Sequence, residues 1–264
     1  CDVESMQYSY SFDEKLQQEW HWPEKFAAQP DILAYCNHVA DRFDLRKDIA
    51  FKTSITAAHF IEEMHRWSVE TDSGERIFTR FLIMATGCIS TTNMPDIEGL
   101  SDYQGNTYHT GHWPHEKVDF TGQRIAVIGT GSSGIQSVPV LAEEAAHVTV
   151  FQRTPHYSVP SQNVNMTPEY EKEWKDGYNE RRAEMRYTSS GSMRTPNDVN
   201  ALSVSKEERQ ATYQQRWDIG GMAFLRSFSD LLTSQEANDT AADFVRNQIR
   251  SIVKDPETAE LLAP

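Results

Sequence analysis

From Pro30 to Phe43, apolar residues recur at helical spacing, at Ile32, Leu33, Cys36, Val39, Ala40 and Phe43. With Asp31 placed to meet the first-turn amides, the spacing predicts an amphipathic helix. Ser54 to Ile61, His65 to Thr71 and Arg76 to Ala85 are then rich in β-branched and aromatic residues. Glu62-Glu63 and Asp72-Ser73-Gly74 separate them, which predicts three antiparallel strands. The third runs into Leu82-Ile83-Met84-Ala85-Thr86-Gly87, an apolar run of the kind a strand shows when a parallel sheet buries both its faces. An irregular connector with Pro95, Gly99 and Gly105 follows.

Beyond it, Arg124 to Ile128 and His147 to Phe151 are short apolar strands flanking a helical stretch from Ser132 to Ala145, one βαβ unit. After Pro168 the chain turns helical and polar. Helices are expected at Glu169 to Arg186, Ser205 to Trp217 and Ala237 to Val253, joined by loops such as Thr188 to Asn200 with Gly191 and Pro196. This stretch reads as a helical insertion beginning near residue 165. The expected fold class is therefore α/β: a Rossmann-like βαβ domain with a helical insertion, plus part of a second domain that carries the three-stranded meander.

Charge narrows the list of partners. The 264 residues carry 25 Lys+Arg against 39 Asp+Glu, a net charge of −14, which argues against a nucleic-acid or anionic-membrane binder. Cys1, Cys36 and Cys88 cannot build a disulfide framework and lack the paired spacing of a zinc site, so a reducing, cytoplasmic setting is expected. No apolar run approaches the roughly 18 residues of a membrane span. The start at Cys1 and the stop at Pro264 within a helical pattern lead us to expect an internal piece of a longer chain.

The sharpest chemical signal is Gly129-Thr130-Gly131-Ser132-Ser133-Gly134-Ile135, directly after one strand and opening a helix. In that setting GxGxxG is a dinucleotide fingerprint. Gly129 permits the tight turn, Gly131 lets the backbone approach a pyrophosphate, and Gly134 lets helix and strand pack closely. Exposed amides at Ser132 and Ser133 favour the phosphates. At the end of the second strand, where an acidic residue would meet an unphosphorylated ribose, stand Gln152, Arg153 and Thr154. Arg153 offers a planar fork of donors to a 2′-phosphate and Thr154 a hydroxyl, so NADPH is expected over NADH.

His109, His112 and His115 invite a metal reading. Gly111 and Pro114 break the helix that would align them, and no cysteine or carboxylate sits at ligand spacing, so no metal is expected. From the residues alone this is an aromatic loop of unknown task.

Tyr103-x-Gly105-x-x-x-His109-x-x-x-Trp113-Pro114 resembles the fingerprint of Baeyer-Villiger monooxygenases, class B flavoprotein monooxygenases, and the GxGxxG follows it as in that family. Cys1 to Ser5, Trp20 to Pro30, Leu82 to Gly87 and Phe151 to Pro155 are similar to the family in the same order, most of all to its aryl-ketone and steroid branch. The resemblance implies an enzyme that uses NADPH, FAD and O2 to insert one oxygen atom beside a ketone carbonyl, giving an ester or lactone plus water. It implies a partial FAD-binding domain over residues 1–100, an interdomain linker over 101–122 and a partial NADP-binding domain over 123–264.

By the same resemblance Asp2 is the aspartate beside the flavin, while Gly129 to Ile135 with Gln152 and Arg153 form the NADPH site. Tyr103, Gly105, His109, Trp113 and Pro114 form a connector with a conformational role. Gln29 and Cys88 lie near the substrate pocket. The family's FAD-binding GxGxxG would precede Cys1 and its active-site arginine would follow Pro264, so the 264 residues alone are expected to be inactive. The alternatives are a flavin-containing monooxygenase that oxygenates nitrogen or sulfur, and a catalytically incomplete NADPH-binding segment.

Overall fold

A computed structural model of the chain describes residues 3–188, 191–193 and 197–263. Asp2, and with it the aspartate expected beside the flavin, lies outside the described residues, as do parts of the expected Thr188 to Asn200 loop, Pro196 among them. The chain packs as two compact units. One holds the residues up to Arg46 together with those from Pro155 on, and the other holds Lys47–Thr154.

The chain begins with α1 (Glu14–Glu19) and α2 (Gln29–Arg42). Then come strands β1 (Ile55–Ile61), β2 (Arg66–Thr71) and β3 (Arg76–Thr79), followed by β4 (Arg124–Ile128), α3 (Ser132–Glu144) and β5 (His147–Phe151). Helices α4 (Pro168–Asp176), α5 (Tyr178–Met185), α6 (Lys206–Ile219), α7 (Gln235–Ile252) and α8 (Pro256–Leu262) complete it. The mixed α/β architecture expected from the sequence is the one observed.

In the first unit the helices start where the sequence supplies oxygen acceptors. Asp13, Thr167, Ser205, Ser234 and Asp255 each accept a first-turn amide through their side chains, at α1, α4, α6, α7 and α8. The helix expected as one piece from Glu169 to Arg186 is two, because Gly177 leaves the helical region (φ −111°, ψ 20°) and ends α4. In α2 the buried face is Tyr35 and Val39, whereas Leu33 and Cys36 are exposed. The Tyr35 hydroxyl accepts from the Tyr10 amide (2.8 Å), which draws that face inward.

Two apolar clusters hold this unit. One gathers Met6, Leu16, Trp22, Tyr35, Trp174 and Tyr178. The other gathers Tyr213, Trp217, Phe224, Phe228, Phe244 and Val245 between α6 and α7. Full burial of such a side chain contributes roughly 1.5–3 kcal/mol. Tyr213, fully buried, keeps its hydroxyl paired with Thr240 Oγ1 at 2.7 Å. Near the N-terminus the buried Ser5 hydroxyl donates to the Glu24 carbonyl (2.8 Å) and accepts from the Ala27 amide (2.8 Å), which pins that segment to the turn before α2.

In the second unit β1, β2 and β3 form the expected antiparallel meander, with Phe60 opposite Trp67 and Trp67 opposite Thr79. β3 stops at Thr79, earlier than expected. Phe81, Ile83 and Met84 are 74%, 88% and 78% exposed and belong to no strand. An apolar run of that kind needs strands on both sides to pair with, and among the described residues none stands there. β4 and β5 pair in parallel, Ile125 with Val148 through to Ile128 with Phe151, with α3 as the crossover. Among the described residues, no helix is long and apolar enough to cross a membrane.

Candidate functional site

Both parallel strands release the chain at one end of their sheet, since Ile128 and Phe151 are the last register pair. Gly129 to Gly131 leave from β4 there and Gln152 to Thr154 from β5, the placement that α/β sheets use for ligands. The Gly129 amide donates to the Phe151 carbonyl (2.9 Å), tying the two exits together. Gly129 has φ +100°, a left-handed conformation only glycine adopts without strain.

Gly134 answers a different need. A Cβ there would lie 2.5 Å from the Gly129 carbonyl oxygen, so the first turn of α3 can rest on the loop only with hydrogen at that position. Around Gly131 a Cβ would meet nothing within 4 Å, which leaves its outer side open to a ligand. Gly131 is also the N-cap of α3 and offers no side-chain acceptor. The first-turn amides of α3 therefore lack the capping oxygen that α1, α4, α6, α7 and α8 enjoy, and the positive dipole end faces outward. These features fit a dinucleotide pyrophosphate. Gln152, Arg153 and Thr154 are exposed, and among the described residues Arg153 has no ion-pair partner.

The aromatic loop turns out to be packed on itself. Tyr103 lies across Gly105, where a Cβ would come within 2.4 Å of the phenol oxygen. The His109 Nδ1 accepts from the Gly111 amide (3.0 Å), and the His112 amide donates to the His109 carbonyl (2.8 Å). Trp113 meets Tyr108 at 5.6 Å and Phe120 at 6.0 Å between ring centroids, and Tyr108 meets Phe120 edge-on at 5.8 Å. Phe120 is buried and leads into β4. Phe120 was not singled out from the sequence, and Gly111 entered there only as a helix breaker, although the recurrence of aromatic residues around Trp113 was a usable signal. Asp119, just before the strand, has its carboxyl lowered by Thr121, whose side chain and amide both hydrogen-bond to it.

Of the pocket candidates, Gln29 opens α2 in the first unit and is exposed. Cys88 is an exposed free thiol in the second unit, following Gly87 (φ +72°). No cluster of three or more His, Cys, Asp or Glu suited to a metal exists among the described residues.

The sequence profile of the pyridine nucleotide-disulphide oxidoreductases matches residues 7–230. The chain belongs to that family. A member described as a Baeyer-Villiger monooxygenase, from Pseudooceanicola batsensis, is 39% identical over 265 residues, covering 100% of this chain and 48% of its own length. A phenazine N-monooxygenase from Lysobacter antibioticus is 40% identical over 273 residues, covering 100% of this chain and 49% of its own. The solved structure of an oxidized steroid monooxygenase bound to NADP superposes with a TM-score of 0.92 at 52% identity, over 100% of this chain and 50% of that one. The resemblance to Baeyer-Villiger monooxygenases is thus matched by homologues of that name. The chain spans about half the length of the curated relatives it matches.

Proposed function

We propose that the whole protein is an NADPH- and FAD-dependent Baeyer-Villiger monooxygenase that converts a ketone and O2 to an ester or lactone, working in the cytoplasm, and that this chain carries its NADPH site. The observation that carries the reading is the triad of Gly129, Gly131 and Gly134: one left-handed turn, one open approach, one close helix contact. When bound, NADPH supplies a hydride. The amides of Ser132, Ser133 and Gly134 would receive its pyrophosphate, and Ile135 and Thr130 would flank it. Arg153, with Gln152 and Thr154, would hold the 2′-phosphate, a charge-assisted contact that NADH cannot make.

The FAD site is another matter. Among the described residues no second glycine loop joins a strand to a helix to receive a flavin pyrophosphate. In this reading residues 1–100 belong to the FAD domain and 101–122 link it to the NADP domain over 123–264.

The test uses the whole protein. NADPH consumption should rise on adding a ketone, with an ester as product. N-oxides or sulfoxides from amines or sulfides, with no ester from any ketone, would replace this reading with the N- or S-oxygenating one. Arg153→Ala should cost about 1.5–3 kcal/mol of NADPH binding, a rise in KM of roughly 10- to 150-fold, and leave NADH untouched. Equal losses for both cofactors would contradict the role of Arg153.

A further inference from the structure

Past the end of β5 the chain crosses a bare span. Gln152 to His156 are all exposed and, among the described residues, form no hydrogen bond or ion pair. Arg153 stands within it, so its guanidinium is placed only by the two points at which the chain is held. The first is Phe151, whose carbonyl accepts the Gly129 amide (2.9 Å). The second is Tyr157, whose ring centroid lies 5.5 Å from the Arg246 guanidinium carbon on α7. Arg246 is itself pinned to Asp243 (2.8 Å), and α7 buries Ala241, Phe244 and Val245 in an aromatic cluster. Val159 packs on the same cluster and the Pro160 carbonyl accepts from the Gly221 amide (2.8 Å), so the chain is held from Tyr157 onward.

The span between these points is stiff as well as bare. Pro155 fixes its own φ and keeps Thr154 out of the helical region. From Arg153 to Tyr157 the chain can reach at most about 14 Å. A shift at Tyr157 is therefore passed back to Arg153, not absorbed on the way. We propose that Tyr157 is a positioning residue for coenzyme choice: seated against Arg246, it holds the span so that the Arg153 fork is already set when a 2′-phosphate arrives. The proposal rests on the NADPH reading given above and adds a control seated in the helical insertion. Only a phosphorylated ribose uses the fork. Without the anchor, the span must be ordered each time NADPH binds, whereas NADH is spared.

The whole protein is titrated with NADP+ and NAD+, then assayed with both reduced forms. Tyr157→Leu should weaken NADP+ about 3- to 10-fold, the cost of ordering one or two side chains on binding. Its NAD+ affinity, and kcat at saturating NADPH, should not change. Tyr157→Phe keeps a ring face for the guanidinium and should bind both coenzymes as the unaltered protein does. Arg246→Met should reproduce the leucine variant, with the double variant no weaker than either, because both remove one shared contact. Pro155→Gly leaves that contact in place but loosens the span, and should show the same selective loss. Unchanged NADP+ affinity in Tyr157→Leu and Arg246→Met overturns the proposal. So do equal losses for NADP+ and NAD+, which would mark a merely structural contact. An unaltered protein with no preference for NADP+ brings down the NADPH reading as well, which tells the two failures apart.

Discussion

Gly131 and Gly134 share one short loop yet should respond to the same substitution in opposite ways. Alanine at 134 would put its Cβ 2.5 Å from the Gly129 carbonyl oxygen and 3.2 Å from its carbon, against a practical lower limit of 3.0 Å. The helix must therefore lift by 3.0 − 2.5, about 0.5 Å, because Gly129 is itself tied to Phe151 and cannot swing away. Overpacking of this kind costs about 1–3 kcal/mol, offset by up to about 1 kcal/mol of better helix propensity. A net loss near 1–2 kcal/mol should lower the midpoint of thermal unfolding by several degrees. Alanine at 131 meets no protein atom within 4 Å. There the poorer N-cap, at most about 1 kcal/mol, and the stiffer unfolded chain, about 0.4–1 kcal/mol, nearly cancel. NADPH affinity should nonetheless fall tenfold or more, since the methyl group stands where the pyrophosphate approaches, a loss of about 1.4 kcal/mol. Differential scanning fluorimetry and NADPH titration of the whole protein measure both effects. A Gly131→Ala variant with unchanged affinity, or a Gly134→Ala variant with unchanged stability, would refute the assignment of these roles.

Glu171 offers a pH test. Burial raises its carboxyl, but hydrogen bonds from His21 and Lys175 outweigh this and hold it below the ordinary carboxylate value. Stability from this group is present above the unfolded value of about 4.3 and disappears as pH falls through the lower folded value. Glu171→Gln should remove that acid-side slope in urea titrations, and an identical slope would discount the His21 and Lys175 contacts. In the opposite sense, the Tyr170 phenol is raised by burial and by its hydrogen bond to Glu4, so Tyr170→Phe should relieve part of the alkaline loss of stability that sets in above pH of about 10. Phe244→Ala, which empties the space against Tyr213, Trp217 and Phe224, should cost about 3–5 kcal/mol in denaturant unfolding; under 1 kcal/mol would mean that this cluster repacks.

The βαβ unit was legible almost to the residue, since Arg124 to Ile128 and His147 to Phe151 are observed as read. Short apolar strands bounded by glycine and by polar residues leave few alternatives there. The break at Gly177 was not legible. Tyr170, Trp174 and Tyr178 continue the helical period across it, and a helix can absorb a glycine for only about 1 kcal/mol. Leu82 to Gly87 misled for the converse reason: its composition describes neighbours, and composition cannot say whether those neighbours lie in the same stretch of chain. Within the candidate site, the glycine spacing announced a nucleotide turn. That the Gly111 amide meets the His109 ring emerged only from distances, since a glycine beside proline and aromatic residues reads as a mere loop breaker.

The bare stretch from Phe81 to Ile89 has a practical side. Its main chain is neither helical nor laddered, and its phenylalanine, isoleucine and methionine side chains stand in water, so a chymotrypsin-like protease would find an easily threaded substrate there. A brief digest of the 264 residues should nick this stretch before any helix is touched, leaving the three-stranded meander on one product and the glycine turn on the other.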